Sequence, residues 1–134
     1  MWPFRRPPRP PDPPPVTRDG VTATFERMRH GTWWRWRLRD TPCYVDGESL
    51  PDDWLEASRR ALDTMADLGP EIRIVILRHV TGWGPPDAAT FSIWLRPALA
   101  PDAFEIVAEA DAWGDLAVSI DVANGQINGH WAGD

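Results

Sequence analysis

Three histidines, one cysteine and a crowd of carboxylates are the groups in this 134-residue chain that could carry acid–base, metal or nucleophilic chemistry. The histidines are His30, His79 and His130. None stands at a spacing that places two imidazoles on one helical turn or one strand face, so no local metal site is signalled. Cys43 lies between Pro42 and Tyr44 in a short apolar run. A nucleophilic thiol needs a base and a lowered pKa; neither is visible here, and a buried structural thiol is the expectation. Among the carboxylates, Glu105 and Glu109 share one face of an alternating run, with Asp111, Asp115 and Asp121 further on. Two-carboxylate catalysis needs one acid raised by burial beside one that stays ionised. The alternation instead places Glu105 and Glu109 on the solvent side, where they form an acidic patch.

Phosphate chemistry is signalled no better. Gly82-Trp83-Gly84 runs straight into Pro85-Pro86, and prolines remove the amides that a phosphate cradle uses. No serine sits in a nucleophile-elbow pattern. No cofactor and no metal are expected, and the balance moves from catalysis towards binding.

Tryptophan is the unusual residue, with nine copies. Trp33, Trp34 and Trp36 interleave with Arg35, Arg37 and Arg39. Alternation puts Trp34, Trp36 and Leu38 on one strand face and Trp33 with the three arginines on the other. A base-stacking platform needs aromatics and cations together, and here only Trp33 keeps company with the arginines. That face suits protein contact better, since Trp and Arg dominate interface energetics. Nucleic-acid binding through the hairpin 21–39 is the alternative, and a small-molecule site assembled from distant residues is a second one. The expected interaction face gathers Trp33, Arg35, Arg37, Arg39, Trp83, Glu105, Glu109, Trp113 and Asp115.

These groups must be held by a fold. The net charge is −6, and it is uneven. Residues 1–42 carry nine Arg against four acids, while residues 43–134 carry five Arg against sixteen. An acidic body disfavours general nucleic-acid binding, whose affinity comes mainly from phosphate contacts. All 14 basic residues are arginine, as in the coding bias of a GC-rich genome. A lone cysteine forms no internal disulfide. No apolar run reaches the ~20 residues of a membrane span, and the N-terminus lacks the apolar core of a secretory signal, so a cytoplasmic location is expected.

Residues 1–15 hold eight prolines. Proline fixes φ and donates no amide hydrogen bond, so this stretch is expected to be a disordered or polyproline II arm. A single domain is expected over 16–134. Within it, period-two alternation at 21–28 and 33–39 around a glycine-containing turn predicts a β-hairpin, with a short third strand at 43–45. The period then changes. Trp54, Ser58, Ala61, Leu62 and Met65 form one helical stripe, predicting a helix over 52–68 with Ser49 as its cap and Gly69-Pro70 as its stop. Residues 70–80 suit a second helix better than a strand. Four strands follow near 90–96, 103–110, 116–122 and 126–131, the last two joined by Asn124-Gly125, a strong hairpin signal. The order ββ(β)-αα-ββββ predicts an α+β fold, a mostly antiparallel sheet with the helical pair on one face.

This layout resembles small bacterial α+β domains of unknown function that are often encoded near toxins and suspected as immunity proteins. The resemblance runs through Leu50-Pro51-Asp52-Asp53-Trp54-Leu55 to Val80, then Phe91-Ser92-Ile93-Trp94-Leu95, Trp113-Gly114-Asp115-Leu116-Ala117-Val118-Ser119-Ile120 and Asn124-Gly125-Gln126-Ile127. It implies a non-enzymatic domain that binds a protein partner, with Trp113 and Asp115 at the turn such domains use. Homo-oligomerisation stays open.

Overall fold

The computed structural model describes residues 8–134. Residues 8–15 form no regular element; Asp12 among them pairs with Arg27 at 3.3 Å. The remainder of the proline-rich arm lies outside the described residues.

Eight strands follow: β1 (Val16–Arg18), β2 (Val21–Met28), β3 (Gly31–Leu38), β4 (Thr41–Asp46), β5 (Thr90–Leu95), β6 (Phe104–Glu109), β7 (Ala117–Ala123) and β8 (Gln126–Gly133). They form one sheet in sequence order. Every neighbouring pair is antiparallel except β4 and β5. The exception has a clear cause. Helices α1 (Trp54–Asp67) and α2 (Gly69–Val80) intervene there, and a crossover of that length returns the chain parallel. The fold is thus α+β with a mostly antiparallel sheet. Two details go beyond the sequence reading: a three-residue strand β1, and a β3–β4 turn at Arg39-Asp40 with both residues at positive φ. Asp19-Gly20 and Asn124-Gly125 make the same left-handed pair, the geometry that matches strand twist in two-residue hairpins.

The register shows how alternation becomes a core. One buried row crosses the sheet as Phe25, Trp34, Val45, Leu95, Phe104 and Val122, each opposite the next. A second row runs Trp36, Cys43, Ile93, Ile106 and Ile120. Both lie on the face that the helices cover. From α1, Trp54, Leu55, Ser58, Ala61 and Leu62 are buried; from α2, Ile72, Val75, Ile76 and Val80. Trp54 meets Trp36 edge-on at 5.1 Å between centroids. Ser58, the one buried polar residue among those described, accepts the Trp36 indole N–H at 3.1 Å and donates to Leu55 O at 2.9 Å.

The start of α1 corrects the sequence reading. Asp53, not Ser49, is the N-cap of α1, and it makes no side-chain cap bond. The stop at Gly69-Pro70 and the second helix after it stand as expected. Leu68 ends α1 and caps α2, so the two helices meet at a single residue, with Pro70 in the first turn of α2. Proline is tolerated there because that amide has no helical partner.

Candidate functional site

Among the described residues, no layer covers the second face of the sheet. Both helices pack on the other side, so the residues between the buried ones face outward. One outward row reads Thr24, Arg35, Tyr44, Trp94, Glu105, Asp121 and Gly129 in direct register. A shorter one reads Glu26, Trp33 and Asp46. A third, on β5 to β8, reads Ser92, Val107, Ser119 and Trp131.

The middle of this face is aromatic. Tyr44 and Trp94 stack in parallel, 4.3 Å between centroids and 10° between planes. Trp33 meets Trp94 edge-on at 6.0 Å. The Arg96 guanidinium lies 5.6 Å from the Trp94 ring centre and pairs with Asp46 at 2.9 Å and Glu105 at 3.4 Å. Beside the stack, an open groove of about 590 Å³ runs along Arg37, Pro42, Tyr44, Ser92, Val107 and Glu109.

Glu105 is not the solvated acid that alternation alone implies. Its side chain is only 14% exposed, and burial holds its carboxyl above the ordinary range; Arg96 opposes the shift, and Asp121 and Asp46 add to it. The wide sheet causes this, since flat neighbours on both sides shield a central strand. The only two buried side-chain polar atoms lacking a hydrogen bond among the described residues also sit on this face, Trp33 Nε1 and Glu26 Oε1. The Arg35 Nε lies 2.8 Å from that oxygen, close enough for charge attraction but outside hydrogen-bond alignment, so the oxygen counts as attracted yet unbonded. Glu26 and Trp33 are register partners, so the unmet polar capacity collects at one corner of the face. Such groups are rare in native interiors and each calls for an account.

The structure brings together Trp33, Arg35, Arg37, Glu105 and Glu109, all on the uncovered face. It disperses the others. Arg39 turns away and binds Asp63 of α1 at 2.6 Å. Trp83 stands 57% exposed in the loop after α2. Asp115 is exposed in the turn before β7. Trp113 is fully buried and donates its indole N–H to Pro85 O at 2.9 Å, so it is a core residue and not part of an exposed face. The Gly82-Trp83-Gly84-Pro85 run has its explanation here. A Cβ on Gly84 would stand 2.8 Å from Trp113 Cδ1, so the loop closes over that ring.

Residues of this face that the expected interaction face left out are Tyr44, Trp94, Arg96, Asp121 and Glu26. Their outward position follows from alternation within their own strands. What joins Tyr44 to Trp94 is the parallel β4–β5 pairing across the helical crossover, and no local pattern announces it.

Other chemistry is sparse. Cys43 is buried, and desolvation pushes its thiol up to about 12, the opposite of nucleophile activation. No group of three or more His, Cys, Asp or Glu side chains is placed to hold a metal among the described residues. His79 and His130 share one hydrogen bond, Nε2 to Nδ1 at 2.8 Å, joining α2 to β8. No helix among the described residues is long and apolar enough to cross a membrane. No protein-family model, no curated protein and no solved structure matches the chain.

Proposed function

We propose that this chain is a non-enzymatic protein-binding domain whose uncovered sheet face docks a partner with a basic surface, as an immunity or regulatory protein would. The observation that supports the reading is the composition of that face. Trp33, Tyr44 and Trp94 give rigid aromatic area at its centre, where interface anchors concentrate. Around them stand three arginines, Arg35, Arg37 and Arg96, against five carboxylates, Glu26, Asp46, Glu105, Glu109 and Asp121. An acidic rim around an aromatic centre complements a cationic partner and steers its approach. The same count weighs against nucleic acid, for which stacked aromatics beside Arg35 would otherwise be suited.

The test is capture from extracts of the source cell with the tagged chain and with Trp94→Ser and Glu105→Arg variants, read by mass spectrometry. A stoichiometric protein retained by the wild type and lost from both variants supports the reading. Recovery of the same protein by all three, or of none by the wild type, overturns it.

A further inference from the structure

The two edges of the sheet are built differently. β1 is three residues long and follows Pro13-Pro14-Pro15, both ordinary devices against edge-to-edge pairing. β8 is eight residues long, Gln-Ile-Asn-Gly-His-Trp-Ala-Gly, with no charge and no proline. Beside it, α2 leaves Ile74 53% exposed, and β8 itself leaves Trp131 47% exposed. A groove between α2 and β8 is lined by Glu71, Ile74, Arg78, Ile127, Asn128 and His130, among others.

We infer that β8 pairs antiparallel with β8 of a second copy of this chain, joining two sheets edge to edge and packing α2 against its own copy. The groove is self-complementary. Glu71 lies at the N-terminal end of α2 and Arg78 near its C-terminal end. A twofold axis through the middle of the groove sets Glu71 across from Arg78 of the second copy, twice, with Ile74 between them. Such an isologous contact uses one patch on both subunits. Three of the four helix arginines find a carboxylate within the chain, Arg59, Arg60 and Arg73. Arg78 makes no such pair among the described residues, and neither does Glu71.

Strand chemistry points to the same axis. Paired residues of a continuous sheet must share a face. Ile127 and His130 both lie on the helix side, opposite Val122 and Ile120. Gln126 and Trp131 both lie on the open side, opposite Ala123 and Ser119. Pairing Ile127 with His130 of the second copy, and Gln126 with Trp131, keeps like faces together and puts the axis between Asn128 and Gly129. The register shift on β8 leaves Asn128 without a partner on β7. At the axis Asn128 of each copy stands across from Gly129 of the other, so both strands carry the extra residue at the same place and stay in step. Two molecules of net charge −6 repel, and an uncharged edge is where that repulsion is least.

The test is sedimentation of the full chain over a concentration series. The wild type is expected to dimerise reversibly. Glu71→Arg and Arg78→Glu, both at exposed positions, should each weaken the dimer about tenfold, because the symmetry counts every pair twice. The double variant, with the charges exchanged, should recover to within about threefold of the wild type. A monomer at every concentration up to roughly 0.1 mM overturns the proposal, because an interface weaker than that is of no consequence. A dimer that ignores the single variants, or that the exchange fails to rescue, overturns it too. These outcomes are independent of the partner-binding face, since neither residue lies on it.

Discussion

Ser58→Ala should destabilise the chain far more than the loss of one small hydroxyl with two hydrogen bonds suggests. The hydroxyl is fully buried beneath the sheet, accepting from Trp36 Nε1 at 3.1 Å and donating to Leu55 O at 2.9 Å. Alanine fits the helix better, which favours the variant by a few tenths of a kcal/mol. It also leaves the Trp36 N–H buried without a partner, a cost of about 1–3 kcal/mol. The second effect wins, and a net loss of about 1.5–2 kcal/mol is expected. Trp36→Phe removes the donor but opens space next to Trp54, with a loss of about 1–3 kcal/mol. In the double variant no orphaned donor remains, so the losses should fall short of additivity by about 1 kcal/mol. Urea unfolding followed by far-UV circular dichroism measures all four species. A Ser58→Ala loss below about 0.5 kcal/mol, or additivity within about 0.3 kcal/mol, would refute the role given to this bond.

Gly84→Ala should cost about 1–3 kcal/mol by overpacking against Trp113, since the added carbon meets the ring at 2.8 Å; thermal unfolding checks it, and an unchanged midpoint contradicts the close approach. The His79 imidazole is held below its ordinary range by desolvation and then by His130. A base with a lowered folded-state pKa binds more protons when unfolded, so its contribution to stability is present above about pH 6.5 and is lost as pH falls through that value. Once the intrinsic pH dependence of exchange is divided out, amide protection at the end of α2 and along β8 should therefore fall between pH 7.5 and 5.5, and His130→Gln should flatten that dependence. Glu105, raised by burial, acts oppositely and lower: stability falls as pH rises from the ordinary carboxylate range through its folded value. Cys43, with its thiol pushed up to about 12, should react with a thiol reagent only at the rate of unfolding; prompt labelling of the native chain would contradict its burial.

Much of the fold was readable because its signals are local. Period-two alternation in β2, β3 and β6 and period-3.6 recurrence in α1 each depend on one segment at a time. Ser58 stood in the apolar stripe of α1, and its burial with Trp36 is the consequence. Asn124-Gly125 named its own turn. Ser49 reads as the cap of α1, yet the helix begins later, with Asp53 at its N-cap. The other misreadings involve contacts across distance. Trp113 reads as a surface turn residue, and only the loop at Gly84-Pro85, distant in sequence, encloses it. Glu105 reads as solvated, but Trp94 and Asp121 flank it across strands. The candidate site was therefore half legible: Trp33, Arg35, Arg37, Glu105 and Glu109 by parity, with their aromatic centre hidden by the non-local β4–β5 pairing.

The claim that the uncovered face is the docking surface is tested most directly by hydroxyl-radical footprinting of the chain with its captured partner. Trp33, Tyr44 and Trp94 should lose reactivity on complex formation, while Trp83 and Leu99, exposed elsewhere, keep theirs. Protection of Trp83 with unchanged reactivity at Trp33, Tyr44 and Trp94 would contradict the account.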